Sequence, residues 1–393
     1  MKKYRVLDLT NVLAGPYCCH LLAHMGCEVI KVENPSGGDL ARQLGASINF
    51  NKKKMGISFL AQNAGKKSIA INIKSKIGKD IFFKLVKKSD VIVENFKPGT
   101  MKKLGIGFSK LKKINKKIIL TSISGFGQNG SLSKLPAYDQ IIQGYSGVMS
   151  ITGKGKNIFR VGYPVADTIG GLNAALAITS LLNNKNRKAS HIDISMLDSV
   201  ISSMGWVVSN YLNANVIPKP LGNENFTASP SGTFKTKNGM INIAANRQSH
   251  FEGVCITLNL KNLIKNKKFC DRQNRLKNRK LLKQIIEKKL LKQKTNDWVK
   301  KFQKFNVPCG PILSIPEILK HNQIKSRKII TSYKIKGFPK LKLLKTSIRI
   351  NNKINRVKSP PPKLGQNTNS IMRMLGYTSG QITTFKKEKI INE

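Results

Sequence analysis

The chain has 393 residues, enough to bury a sizeable core and divide into two domains; 40% are hydrophobic and 23% charged, both ordinary for a globular protein. Against 70 Lys and Arg stand only 19 Asp and Glu, a formal net charge of +51. Such a balance points toward nucleic acid or an anionic membrane, but the lysines are scattered through every expected element ("KNLIKNKK", "INKKIIL"), and no zinc-finger spacing, RNP-like aromatic strand or basic-zipper heptad accompanies them.

The composition reads as drift toward Lys, Asn and Ile with most lysines solvated. Charge alone is the non-specific half of nucleic-acid recognition, although it still draws in polyanionic substrates. Six cysteines (Cys18, Cys19, Cys27, Cys255, Cys270 and Cys309) form no CxxC pair and fit a reducing compartment. The N-terminus begins like a signal peptide, but Asp8 and Asn11 interrupt the apolar region. The run 199–218 is uncharged yet too rich in Ser and Asn for a membrane span. A soluble, cytoplasmic protein is expected, without a membrane or a specific nucleic-acid partner.

In chain order, "YRVLDL" reads as a buried strand, and Gly15-Pro16 opens a helix through "YCCHLLAHMG" that Gly26 stops. "CEVIKVE" and "KSIAINI" are further strands, and "IGKDIFFKLVKKS" has the apolar spacing of a helix. "DVIVEN" and "KIILTSISG" continue the alternation, which implies βαβ units and a mostly parallel sheet. Ligands of such sheets sit at the carboxyl ends of the strands, so "NVLAGP", "ENPSGGD", "ENFKPG" and "SGFGQNG" are candidate site segments.

Further on, "FRVGYPVA" is strand-like and "SHIDISML" is a later strand. "FTASPSGTFKTKNGMINIAA" predicts a hairpin turning at Asn238-Gly239. Lys-rich amphipathic helices follow, then an extended chain after "VPCGPI" and a short final helix after "SPPPKLGQNT". The expected division is a large domain over 1–200, a linker over 201–225, a small domain over 226–315, a linker over 316–350, and a C-terminal part over 351–393 that returns to the large domain.

Among the scarce carboxylates, Asp167 stands where the apolar run turns into the helix "VADTIGGLNAALAITSLL". First-turn N–H groups and the helix dipole stabilise an anion there. An N-cap role and a nucleophile kept ionised and uncovered both fit, and position alone does not choose between them. "SGFGQNG" is no Rossmann fingerprint, no Walker loop occurs, and no G-x-S-x-G elbow appears. Lys74, Lys97 and Lys103 lie at strand ends where a phosphate-bearing ligand would sit, although solvated surface lysines are the ordinary reading. Of the histidines, only His20 and His24 have ligand spacing, without an acidic partner, so no metal is expected.

Taken together the segments resemble the class III CoA-transferases, the family of formyl-CoA:oxalate transferase, carnitine-related CoA-transferases and α-methylacyl-CoA racemase. The resemblance runs through "VLDLTNVLAGPYCCHLLAHMGCEVIKVENPSGGD", "VIVENFKPGTMKKLGIG", "TSISGFGQNG", "PAYDQIIQGYSGVMSITG", "PVADTIGGLNAALAI", "HIDISMLDS" and "VPCGPILSIPEIL". It implies an α/β fold: a Rossmann-like large domain built from the N-terminal half and the C-terminal tail, with a smaller α+β domain inserted. Two such open rings would interlock as a homodimer, the segments 201–225 and 316–350 flanking the small domain in extended form. It also implies that Asp167 is the nucleophile, passing CoA from an acyl-CoA to a short carboxylic acid, expected to be a dicarboxylate, through an aspartyl-CoA thioester. Coenzyme A enters as substrate, with no permanently bound cofactor.

By the same resemblance, CoA contacts fall on Leu13, Ala14, Asn34, Ile71, Asn72, Ile73, Lys74, Asn95, Phe96, Lys97, Lys103, Ala137, Tyr138, Asp139 and Gln140. Backbone N–H groups at Gly170 and Gly171 would serve developing oxyanions. Asn34 and Ala137 stand where some members carry Arg and Lys, so phosphate pairing is lost or moved to neighbouring lysines. Racemases of the family carry a catalytic His where this chain has Tyr138. A tyrosine, titrating near ~10, is a poor base at neutral pH, which favours transfer over the racemase alternative. Ala245, Asn246, Arg247 and Gln248 fall where the oxalate enzyme has a glycine-rich lid, and Arg247 is a candidate partner for the acceptor carboxylate. The remaining alternative, a nucleic-acid or anionic-surface binder, accounts for the charge but not for the motif order.

Overall fold

A computed structural model describes residues 4–354 and 357–392. Residues 1–3, 355, 356 and 393, which the N- and C-terminal expectations partly cover, lie outside the described residues. The chain forms two compact units, one of residues 1–149, 160–217 and 328–393, the other of 150–159 and 218–327.

The first unit is built on a seven-stranded sheet. Its parallel strands are β1 (Arg5–Asp8), β2 (Glu28–Glu33), β3 (Lys67–Ile71), β4 (Val91–Glu94), β5 (Ile119–Ser124) and β6 (Ser190–Ser195). They lie in the order 3-2-1-4-5-6, so the direction of winding reverses between β1 and β4. Near-continuous Val, Ile and Leu runs make the central strands apolar on both faces, as a sheet covered on both sides requires. On one face Val6, Val29, Val93 and Ile123 pack against α1 (Ala14–His24), and against Ala174 and Ile178 of a long later helix. On the other, Leu7, Ile30, Ile92 and Leu120 meet Ile81, Phe82 and Leu85 of α2 (Lys76–Lys87). The Ser75 hydroxyl caps α2 by accepting the Gly78 N–H at 2.9 Å.

Continuing along the chain, α3 is Phe108–Ile114, α4 Asp139–Tyr145, α5 Val165–Asn183, α6 Met196–Ser203 and α7 Gly205–Ala214. The second unit carries an antiparallel sheet of β7 (Ser231–Thr236), β8 (Gly239–Ala244) and β9 (Cys309–Pro311), ordered 9-8-7. Phe234, Ile241 and Ile243 of this sheet share a core with Phe251, Leu282, Trp298 and Phe302. Those side chains come from α8 (Gln248–Thr257), α9 (Arg279–Leu290) and α10 (Thr295–Gln303).

Several expectations need correction. The hairpin turns at Lys237-Asn238, one residue earlier than expected, because Gly239 already pairs with Thr236. "FRVGYPVA" is no strand: Gln143 Oε1 accepts the Val161 N–H at 2.8 Å, so that backbone pairs with a side chain instead of a ladder. The segment 201–225 is largely helical, through α6 and α7, and its serines fold back on the helix: Ser202 and Ser203 donate to the carbonyls of Ser199 and Val200.

The segment 316–350 is not simply extended either. A capping box of Ser314 and Glu317 starts a helix at Ile315–Lys320, another spans Asn322–Arg327, and Ile330–Tyr333 pairs with Leu341–Leu344. After α11 (Thr368–Met374) the chain adds α12 (Ser379–Lys387) and β10 (Ile391–Asn392), which lies antiparallel on β3 at the sheet edge.

Candidate active site

Where winding reverses, the loops after β1 and β4 part and leave a crevice beyond the strand ends. Two asparagines tie the loops together. Asn95 Oδ1 accepts the Asn11 N–H and Asn95 Nδ2 donates to the Asn11 carbonyl, each at 2.8 Å. A cavity of about 360 Å³ opens there, lined by Leu13, Ala14, Asn95, Phe96, Lys97, Ala137, Tyr138 and Asp167 among others. An adjoining cavity of about 270 Å³ shares Asn11 and Phe96 with it and is lined by Asn34, Ile71, Asn72, Ile73 and Lys74.

The loop after β1 is held by buried charges. Val12 sits at φ 65°, a left-handed conformation costly for a β-branched residue. Its N–H donates to Asp39 Oδ1 at 2.9 Å. Asp39 is paired with Lys31 at 3.0 Å, and the Lys31 ammonium donates to the Thr10 carbonyl at 2.7 Å. Lys66 closes the group on Asp8 at 2.8 Å. All four side chains are fully buried. Burial pushes the Asp8 carboxyl up, but Lys31 and Lys66 outweigh it and hold the group at about 2. Burial likewise opposes the Lys31 charge, and Asp8 and Asp39 reverse the effect, raising it above the ordinary lysine range.

Asp167 lies in the first turn of α5. Its N-cap position is Pro164, whose ring carries no hydrogen-bonding group. The cap comes from α4 instead: Asp139 Oδ1 accepts the Ala166 N–H at 2.8 Å, and Asp139 Oδ2 accepts from Gln143 Nε2 at 2.6 Å. Gln143 Oε1 in turn holds the Val161 N–H. With capping done elsewhere, the Asp167 carboxylate receives no hydrogen bond among the described residues and lines the cavity. Burial, then the nearby charge of Asp139, raises its pKa to about 7.

The expectation for Gly170 and Gly171 is corrected. Both lie beyond the first turn of α5, so their N–H groups are spent on helix carbonyls one turn back. Their smallness serves packing: a Cβ on Gly171 would lie 2.6 Å from the Ala14 carbonyl oxygen, and one on Gly170 would lie 3.0 Å from Met196 Cγ. In the first turn, Val165 N–H donates to Tyr163 O and Ala166 N–H to Asp139, leaving the Asp167 N–H as the donor with no partner among the described residues.

Three expected contact residues also fall differently. Asp139 is 8% exposed and faces α5 rather than the cavity. Gln140 is exposed beside it and lines neither cavity. Lys103 closes the short helix Thr100–Lys103, whose flanking Thr100 and Leu104 line the second cavity. Asn34 is engaged locally, accepting from the Ser36 N–H and hydroxyl. Tyr138 lines the first cavity and is 68% exposed.

Val12, inside the expected segment "NVLAGP", also lines the cavity, and Leu135 and Met196 join its wall unforeseen, with nothing in their own sequence pattern to mark them. In the second unit Ala245 is buried while Asn246, Arg247 and Gln248 are exposed, and Gln248 Oε1 is engaged by buried Arg275, from which it accepts at 2.9 Å. Among the described residues no group of three His, Cys, Asp or Glu side chains is placed to hold a metal. His20 and His24 pack against each other with ring centroids 4.2 Å apart.

The model of CoA-transferase family III matches residues 1–368, and the chain belongs to that family. It is 35% identical over 383 residues to succinyl-CoA:glutarate CoA-transferase of Mus musculus, a match covering 96% of this chain and 87% of that one. It is 33% identical over 329 residues to acetyl-CoA:oxalate CoA-transferase of Acetobacter aceti, covering 83% and 84%. The crystal structure of a CAIB/BAIF family protein from Brucella suis superposes with a TM-score of 0.82 at 30% identity, over 95% of this chain and 98% of that one.

Proposed function

From membership of CoA-transferase family III, we propose that this CoA-transferase moves CoA between an acyl-CoA and a short dicarboxylic acid, with Asp167 as its covalent nucleophile. The observation that carries the proposal is the division of labour at the start of α5. Asp139 satisfies the helix terminus, and Asp167 is left without a hydrogen-bond donor, facing the crevice that the strand ends and the loops after β1 and β4 enclose. The relatives' names supply the acid class, succinate with glutarate in one and oxalate in the other.

In the proposed cycle the Asp167 carboxylate attacks the thioester carbonyl. The C–S bond breaks, CoA thiolate departs, and a mixed anhydride forms. The thiolate then attacks the Asp167 carbonyl carbon, expels the donor acid as carboxylate, and leaves an aspartyl-CoA thioester. An acceptor carboxylate attacks that thioester and releases the thiolate again. The thiolate takes the acceptor acyl group, and the Asp167 carboxylate is restored. Splitting one exchange into such steps is the gain of covalent catalysis. A pKa of about 7 makes Asp167 a stronger nucleophile than an ordinary aspartate while leaving much of it ionised near neutrality.

Leu13, Ala14, Asn95, Phe96, Lys97, Ala137 and Tyr138 would flank the pantetheine arm. Asn34, Ile71, Asn72, Ile73 and Lys74 would flank the part farther from Asp167. Asn246 and Arg247 remain candidates for acceptor recognition, and the net charge of +51 favours capture of polyanionic CoA.

A homodimer is part of the proposal, supported by apolar surface: Leu172 and Leu176 of α5 and Trp206, Tyr211 and Leu212 of α7 are all exposed. α5 is long and apolar enough by composition to cross a bilayer, yet its Gly171 side is packed on α1. A second copy covering the open side would account for both. Sedimentation equilibrium reporting a monomer at micromolar concentration would remove the dimer.

The test of the reaction is intact-protein mass spectrometry after incubation with a panel of acyl-CoAs, native chain beside Asp167→Ala. A hydroxylamine-labile adduct of CoA mass in the native chain alone supports the transferase. Exchange of α-protons of a 2-methylacyl-CoA into deuterated water without an adduct would replace it with the racemase reading.

A further inference from the structure

A second polar group lies on the face of the large sheet that α5 does not cover. Glu94 ends β4, Ser122 stands beside it on β5, and Asp193 stands beside Ser122 on β6, in register across three adjacent strands. Ser122 is two residues from Leu120, which packs toward α2, so by strand alternation the row shares that face. The Ser122 hydroxyl lies 2.9 Å from Nε2 of His191, two residues before Asp193, and the His191 ring stacks on Phe108 of α3 with centroids 5.5 Å apart. Each carboxylate holds a loop that leaves the strands. Glu94 Oε2 accepts the Phe96 N–H at 2.7 Å, and Asp193 Oδ2 accepts the Gln128 N–H at 2.9 Å.

Glu94 is 3% exposed, and none of the ion pairs among the described residues includes it. The buried Asp8, Glu33 and Asp39, by contrast, each have a Lys or Arg partner. Burial pushes the Glu94 pKa up to about 7; the charge of Asp193 adds to the rise, and Ser122 and the Phe96 N–H oppose it. Such a carboxylate costs stability once it is ionised. A neutral amide would accept the Phe96 N–H without that cost, so filling the hydrogen bond does not by itself call for Glu94. What the charge adds is a shorter hydrogen bond, about twice as strong as a neutral one. The N–H it grips belongs to Phe96, which lines both the cavity of Asp167 and the adjoining one.

We propose that Glu94 is a positioning residue for CoA binding: through the Phe96 N–H, its carboxylate fixes the side chain that the two cavities share. The inference rests on the CoA-transferase reading and deepens it by naming a residue that lines neither cavity.

The experiment is calorimetric titration of the full chain with CoA, beside melting curves at pH 8 and rates of Asp167 loading from acyl-CoA. It compares the native protein with Glu94→Gln, which keeps an acceptor but no charge, and Glu94→Leu, which keeps neither. CoA should bind roughly threefold more weakly to Glu94→Gln and roughly tenfold or more weakly to Glu94→Leu. The KM for acyl-CoA should rise in the same order, with the loading rate at saturation within about twofold of native, because Asp167 is untouched. Both variants should melt at or above the native temperature at pH 8, where the ionised carboxylate is a cost to the fold. Weaker affinity accompanied by a lower melting temperature in both variants reduces Glu94 to a structural support and overturns the proposal. Native affinity in Glu94→Leu overturns it as well; where that variant does not fold, native affinity in Glu94→Gln does the same. Failure of the native chain to bind CoA removes the CoA-transferase reading, and this proposal with it.

Discussion

Asp139 Oδ1 accepts the backbone N–H of Ala166, 27 positions further along the chain, at 2.8 Å. An aspartate on one helix thus caps the next, and its charge raises the pKa of Asp167 beside it. Structural and electrostatic roles meet in one side chain, and substitution separates them.

Asp139→Asn keeps an acceptor for Ala166 but turns an amide N–H₂ toward the Gln143 amide. The clash, or the Gln143 flip that relieves it at the expense of Val161, should cost roughly 1–2 kcal/mol in chemical denaturation. Removing the charge should also move the midpoint of the kcat/KM pH profile toward acid by roughly half a unit to one unit. An unmoved midpoint would show that Asp139 does not act on Asp167 electrostatically.

Activity itself should fall as pH drops through about 7, where Asp167 takes up its proton. Stability runs the other way. A carboxyl whose folded pKa is raised contributes stability below its unfolded pKa and loses it as pH rises toward the folded value. Asp167→Asn should therefore be more stable than the native chain at pH 8, with the difference gone near pH 4. Asp167 is only partly buried, so solvent screening holds the gain to about 1–2 kcal/mol. Melting curves at the two pH values decide it.

Gly171→Ala places a methyl 2.6 Å from the Ala14 carbonyl oxygen, so α1 and α5 must separate. The expected cost is about 1–3 kcal/mol. Since Asp167 lies one turn away on α5, kcat should fall at least about tenfold. A variant with native melting temperature and native kcat would show that the helices have room to spare.

Lys31→Met strands Asp8 and Asp39 in a dry interior, with Lys66 the remaining partner. The urea midpoint should drop by the equivalent of about 3–5 kcal/mol, and CoA should bind more weakly because Asp39 no longer holds the Val12 turn at the cavity wall. A loss below ~1 kcal/mol would mean that water enters to replace the ammonium.

Arg247→Ala should raise the KM for the acceptor acid and leave loading of CoA onto Asp167 unchanged. An unaltered acceptor KM would remove Arg247 from acid recognition.

Much of this protein follows from the sequence alone. Runs such as "VIVE" and "IILTSIS" can be buried on both faces only in a covered parallel sheet, so the alternation and the strand ends are readable from apolar pattern. Asp167 at the head of an apolar helix was visible too, although pattern left nucleophile and cap undecided until the family's motifs were weighed.

Tertiary structure decided the rest, because the deciding partners lie far apart in the chain. The cap that frees Asp167 comes from Asp139, and the φ 65° turn at Val12 is held by Asp39 and Lys31. The helix at Gly205–Ala214 forms where the family resemblance implied an extended segment. Strand β10 is two residues long, too short for any periodicity, and takes its form from β3. Local pattern reports what a segment buries against its own period. Which N–H a distant carboxylate caps, and which strand a tail pairs with, depend on closing long loops that no window of sequence contains.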